Sequence, residues 1–173
     1  TTTGGSVTMI AENGITLTGT VDTTGTTTGG NVTLAVADAN VPGTFQILNG
    51  TASGGAITVG TATSGNLSFG SINAGSGDVT LSGATLVGET ISKSGTLTAD
   101  ELTVNTGAGT ANLGTTVVNT LSGAGNGDVT VNNTGALALG TFSGNQNVVA
   151  TSTGAITGGA GSVGSLTLTG DAT

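Results

Sequence analysis

Gly77-Asp78-Val79-Thr80-Leu81 and Gly127-Asp128-Val129-Thr130-Val131 are two copies of one phrase, and its reading decides the fold. Glycine opens it, a small or polar residue follows, and then an aliphatic, a Thr or Ser, and a second aliphatic alternate. Apolar and polar residues in strict alternation form a strand with one buried face. The β-branched Val and Thr suit a pleated surface. Working outward, the phrase recurs at Gly5–Met9, Gly30–Leu34, Gly55–Val59, Gly65–Phe69, Gly95–Ala99, Gly135–Leu139 and Gly164–Leu168, and Gly14-Ile15-Thr16-Leu17 lacks only the spacer. Gly and Asn clusters between the copies supply turns and positive φ. No window carries the i, i+3, i+4 spacing of a helix over a useful length, so the chain is read as all-β.

A longer repeat overlies the short one. Val32, Val79 and Val129 each follow Gly-Asn or Gly-Asp at intervals of 47 (79 − 32) and 50 (129 − 79) residues. Self-similarity of this kind marks a solenoid, whose repeats bury their apolar face only by stacking on neighbours. At roughly 20–25 residues per rung the chain makes about seven or eight rungs, a rod about 35–40 Å long at strand spacing. The expected interior is a stack of Val32, Ile57, Leu67, Val79, Leu97, Val129, Leu137 and Leu166. No domain boundary is visible, and residues 1–173 read as one segment. Asp38-Ala39-Asn40-Val41-Pro42-Gly43 holds the only Pro and is expected to be a loop extruded from a rung, and Gly88–Lys93 a second decorated turn.

Composition agrees with a thin rod. Gly supplies 34 of 173 residues and Thr is more frequent still, while charged residues make up 6 % and aromatics 2 %. Disordered chains pair low hydrophobicity with high net charge. Here the hydrophobic fraction is 35 % and the mean hydropathy +0.30. Phe45, Phe69 and Phe142 are the only aromatics. A narrow interior filled by aliphatic side chains does without the large rings that fill thicker cores. Net charge is −8 with Lys93 the only base, which argues against nucleic acid, whose phosphates need Lys and Arg, and against anionic lipid. No apolar run approaches the ~20 residues that span a bilayer, so no membrane insertion is expected. The chain starts and stops inside Thr-rich repeat-like text, as a mature product or a window from something longer.

These phrases, with their Asn-Gly and Gly-Asn turns, run through essentially the whole chain. In them it resembles the repeat region of the filamentous haemagglutinin-type exoproteins, large adhesins exported by two-partner secretion in Gram-negative bacteria. Autotransporter passengers and other bacterial β-solenoids are written similarly. The resemblance implies a right-handed parallel β-helix, an extracellular location and a role in adhesion or biofilm.

Little chemistry is available to the side chains. Without His or Cys, Ser–His and Cys–His nucleophiles and zinc sites built from those residues are excluded. Acid–base work would fall to Glu12, Asp22, Asp38, Asp78, Glu89, Asp100, Glu101, Asp128 and Asp171. Paired carboxylates cleave polysaccharides on some β-helices, but the Arg, Lys and aromatic platforms that hold a sugar are missing. Asp78 and Asp128 sit at matching places in the phrase, with Asn31 and Asn66 as Asx counterparts. They are the candidates for a Ca²⁺ ladder, set against the simpler role of Asx side chains capping turn backbone. The Gly-Asn-Gly-Asp run around Asp128 is out of register with the calcium nonapeptide. Lys93 is expected to pair loosely with Glu89 or with nothing. Thr-x-Thr pairs at 16/18, 61/63, 96/98, 151/153 and 167/169 would present an ice-like lattice if stacked on one face, against the ordinary outward Thr of a strand. The sequence thus predicts a non-enzymatic structural or adhesive segment of a secreted fibre. Its partners would be sister copies or further chain, and glycans or host and matrix surfaces. The alternatives are an antiparallel, pilin-like β-sandwich that lends its Thr1–Ile10 strand to a neighbour and, more distantly, a polysaccharide-active β-helix enzyme.

Overall fold

The computed structural model describes residues 4–10, 15–16, 21–25, 29–36, 39–46, 57–61 and 65–172. Fifteen strands follow one another with no helix among the described residues: β1 (Val7–Ile10), β2 (Ile15–Thr16), β3 (Val21–Asp22), β4 (Val32–Val36), β5 (Ala39–Gln46), β6 (Ile57–Thr61), β7 (Leu67–Asn73), β8 (Val79–Gly83), β9 (Thr90–Lys93), β10 (Leu97–Thr106), β11 (Thr110–Gly125), β12 (Asp128–Asn133), β13 (Leu137–Gly144), β14 (Asn147–Gly161) and β15 (Ser165–Ala172). Each pairs with strands one repeat away in sequence, and the stack is a β-solenoid.

The registers sort the strands onto three faces. On face A, Val7, Val32, Ile57, Val79, Leu102, Leu121, Leu139 and Gly158 are consecutive partners. Face B runs Ile15, Ala39, Leu67, Ile91, Ala111, Val129, Val148 and Leu166. Face C runs Val21, Phe45, Ile72, Leu97, Thr116, Asn133 and Ser152. The chain visits A, B and C in turn, and the long strands β10, β11 and β14 pass round corners without a break. A register shift between Asn112 and Thr115 and the positive φ of Gly114 turn β11 from face B to face C.

Every strand pairing among the described residues is parallel. The antiparallel sandwich therefore does not form. The physical reason lies in the phrase itself: near-identical strands bury their aliphatics best when like lies on like in the same direction. Val32, Leu67, Val79, Leu97, Val129 and Leu137 are buried as the alternation requires. Full burial of such a side chain contributes about 1.5–3 kcal/mol. Phe69 and Phe142 are interior as well.

Four expectations need correction. Val32 and Val79 share face A, but Val129 belongs to face B, so the 47- and 50-residue intervals are not one repeat. Rung length explains this: the step along face A is 25 residues (32 − 7) at first and 19 (121 − 102) later, and 50 residues then overshoots two rungs by part of a face. The Pro-containing stretch is also no loop. Ala39–Gln46 is strand β5, with a register shift between Val41 and Thr44 that admits Pro42; an irregular pairing is where a strand tolerates a residue without an N–H. Asp38 lies outside the described residues. Leu166, expected inside, occupies the interior register above Val148 yet is 44 % exposed, as Leu168 is 38 %, because no described strand covers β15. The second decorated turn is real but begins earlier. Ala84–Glu89 forms the connection, and Thr90–Lys93 is strand.

Rung length varies at the corners flanking face A. From face B to face C the registered residues are 6 (97 − 91) to 4 (133 − 129) apart. From C to A the gap falls from 12 (57 − 45) to 5 (121 − 116).

Candidate functional site

The acidic candidates are separated by the fold. Asp78 precedes Val79 on face A, in the column of Asn31, whereas Asp128 lies on face B in the column of Asn66. The proposed pair is therefore no ladder. Asp78 Oδ1 accepts from the Glu101 amide at 3.3 Å. Asp128 Oδ1 accepts from Asn147 Nδ2 at 2.7 Å, and Asn147 Oδ1 accepts in turn from Ser165 Oγ at 3.0 Å. On the same face Asn66 Oδ1 accepts from the Thr90 amide at 2.9 Å. These Asx side chains tie one rung to the next, whereas Asp22 and Asn73 close their own turns, their Oδ1 atoms accepting from the Thr24 and Gly75 amides at 2.9 and 3.1 Å. Among the described residues no three His, Cys, Asp or Glu gather where they could hold a metal ion. Asp100 and Glu101 also reach the following rung, through Asn119 Nδ2 at 2.7 Å and Ser122 Oγ at 2.5 Å. Glu12 lies outside the described residues, and nothing is described for the Asp171 side chain.

Glu89 has a role the sequence did not suggest. Its Oε2 accepts from the Leu86 amide at 2.9 Å and from Thr85 Oγ1 at 3.3 Å, while Oε1 accepts from the Gly65 amide at 2.8 Å. One carboxylate thus closes the extruded turn and fastens it to the preceding rung. The Leu86 amide is the main cause that lowers the Glu89 pKa; burial opposes it, and the Gly65 amide and Thr85 lower it further. The base of the turn is pinned on its other side by the Ala108 and Gly109 amides, which donate to the Thr85 and Ala84 carbonyls. Ala84 adopts φ 52° there, a conformation that costs a non-glycine residue of order 1–3 kcal/mol. The tip displays Leu86 and Val87, 58 % and 86 % exposed.

Lys93 bonds to backbone, not to Glu89. Its Nζ donates to the Gly95 carbonyl at 2.6 Å and to the Thr115 carbonyl at 2.5 Å, and burial lowers its pKa.

Buried polar side chains were missed altogether. On face C the interior column changes from Ile72 and Leu97 to Thr116, Asn133 and Ser152, all buried. Asn133 is fully used: Oδ1 accepts from the Val118 amide at 2.9 Å and Thr116 Oγ1 at 3.2 Å, and Nδ2 donates to the Val118 and Ala136 carbonyls at 3.0 and 3.1 Å. Gln146 reaches inward from a corner. Its Nε2 donates to Thr106 Oγ1 and the Ala124 and Val104 carbonyls at 2.9, 3.0 and 3.2 Å, and its Oε1 has no partner. No signal marks either residue in the sequence, where both stand in Asn- and Gly-rich text that reads as turn.

The Thr-x-Thr pairs do not stack as a set: 96/98 and 151/153 flank the same face C column but three rungs apart, Thr167 lies on face B, and Thr18 and Thr63 are outside the described residues. Register instead aligns Thr8, Thr33, Thr58, Thr80 and Thr103 in one column on face A. At the last described rung a cavity of about 180 Å³ is lined by Leu139, Phe142, Gly158, Gly159, Gly161, Val163 and Leu166. It exists because the face A column passes from Leu121 and Leu139 to Gly158, which brings no side chain to fill it. No described helix is long and apolar enough to cross a membrane. No family model, curated protein or solved structure matches this chain.

Proposed function

We propose that the chain is a non-enzymatic structural segment of a secreted bacterial surface fibre or adhesin. In this reading it is a right-handed parallel β-helix of seven to eight rungs. The rung number is supported by the unbroken register from Val7 to Gly158 on face A, and the hand by the strong preference of parallel crossover connections for right-handed turns. The observation that carries the functional reading is where the polar side chains go. Asp78, Asp100, Glu101, Asp128, Asn66 and Asn147 bond from one rung to the next, which is scaffold work. The rest of the outer surface carries exposed Thr, Ser and Asn side chains with scattered apolar ones such as Val117 and Val149, suited to many weak contacts with glycans, matrix or sister fibres. The uncovered interior positions Leu166 and Leu168 favour a further rung, from more chain or a second copy, on that side of the stack.

Immunogold electron microscopy of the producing cell tests the reading. Label on filaments or the cell surface, lost with adhesion on deletion of the coding segment, is the expected result. Label confined to the cell interior, or polysaccharide turnover abolished by one carboxylate substitution, would overturn it.

A further inference from the structure

At the corner between faces A and B, β11 hands over to β12 through Asn126 and Gly127. The Asn126 side chain is exposed while Gly127 is buried. A Cβ at position 127 would lie 1.9 Å from the Gly109 carbonyl oxygen, so the stacking of rungs holds this position to glycine. The Asn126 amide is engaged with the Gly107 carbonyl at 2.9 Å. Among the described residues, however, no hydrogen bond engages the Asn126 carboxamide or the Gly127 amide. An exposed, unbound carboxamide is thereby followed by an unbound backbone N–H that carries no side chain to obstruct it.

We propose that Asn126–Gly127 is a site of spontaneous deamidation in the folded protein. Hydroxide removes the Gly127 amide proton, and the nitrogen attacks Asn126 Cγ. The C–N bond of the carboxamide breaks and ammonia leaves with a proton from water, closing a five-membered succinimide. Water then opens the ring at either carbonyl to give an aspartate or an isoaspartate at position 126. The balance is one water consumed and one ammonia released. The product adds one negative charge to the −8 of the chain, two residues from Asp128. The isoaspartate also places an extra methylene in the main chain at a corner where Gly125 and Gly127 touch the carbonyls of the previous rung. Asn145 is the built-in comparison. It is exposed at the same corner one rung on, its amide donating to the Gly125 carbonyl at 2.8 Å, but the next residue is the anchored Gln146.

The test holds the full folded chain in mildly alkaline buffer and follows it by isoelectric focusing and peptide mass mapping. Isoaspartate is read by transfer of a labelled methyl group from an isoaspartate methyltransferase. The expected result is an acidic shift of one charge located at position 126, with isoaspartate in that peptide, Asn145 unchanged, and the signal from this peptide absent in Asn126→Ser. The proposal is overturned if Asn126 stays intact in the folded chain over a period in which the urea-unfolded chain converts there. It is equally overturned if Asn145 converts as fast as Asn126.

Discussion

Replacing Gly125 with Ala puts the close stacking of the A–B corner to a direct test. Gly125 ends β11 with φ +128°, and an added Cβ would lie 1.5 Å from the Thr106 carbonyl oxygen and 2.6 Å from its carbon. Two costs follow. The backbone conformation is one that L residues avoid, at of order 1–3 kcal/mol. Relieving the clash then requires the two rungs to part, which loosens the bonds from the Asn126 amide to Gly107 and Thr106 and from the Asn145 amide to Gly125. Counted by donor, the first being shared between two carbonyls, two weakened amides at about 0.5–1.5 kcal/mol each add about 1–3 kcal/mol. The sum is about 2–6 kcal/mol, enough to move a urea midpoint by about 1 M or more at a slope of 1–3 kcal/mol/M. Gly88→Ala is the matched control: φ is +90° but nothing lies within 4 Å of the added Cβ, so only the conformational cost applies. Urea titration by circular dichroism compares the two. Because repeat stacks need not unfold in one step, hydrogen exchange of the Asn126 and Asn145 amides localises the effect. If Gly125→Ala is no more harmful than Gly88→Ala, or if those two amides keep their protection, the contact argument is wrong.

Other expectations follow from the interior and the extruded turn. Leu81, fully buried on face A, should cost about 2–5 kcal/mol on truncation to Ala, measured as a fall in the urea midpoint. Asn133→Ala leaves the Val118 amide and carbonyl without their side-chain partner and should cost about 2–6 kcal/mol at 1–3 kcal/mol per unsatisfied buried group. A loss below that of an exposed Asn119→Ala would show the polar column to be dispensable. For Glu89, a folded pKa held below its ordinary 4.5 means the carboxylate stabilises the turn fully above that value. The stabilisation is lost as pH falls through the lower folded value. Exchange protection of the Gly65 and Leu86 amides, corrected for the intrinsic rate, should be flat from neutral pH to about 4.5 and fall below it, and Glu89→Gln should abolish the dependence.

Much of the architecture was legible because one phrase is written many times. Alternation at Val79-Thr80-Leu81 and Val129-Thr130-Val131 specifies which side chains turn inward, and stacking does the rest. What alternation does not carry is the face a copy belongs to. Asp78 and Asp128 look equivalent because local sequence fixes a strand's inside and outside, while its place around the rung depends on the summed length of every earlier corner. The buried amides were illegible for a different reason. Asn and Gln in Gly-rich text favour turns by local bonding, and the neighbouring rungs supply most of the partners that make Asn133 and Gln146 better placed inside. Pro42 misled in the same way, since a bulge in β5 removes the ladder bond its missing N–H would have broken.

The constancy of the B–C corner separates two tasks within each rung. Faces B and C form a continuous rail whose gauge changes by no more than two residues, and the larger insertions fall where the chain enters or leaves face A. Such a rod is modular crosswise as well as lengthwise. Segments hung from the two variable corners, such as the Glu89-fastened turn with Leu86 and Val87 at its tip, can differ in length and chemistry from rung to rung without shifting the register of the rail beneath them. What the rod displays and what holds it together are then free to change independently.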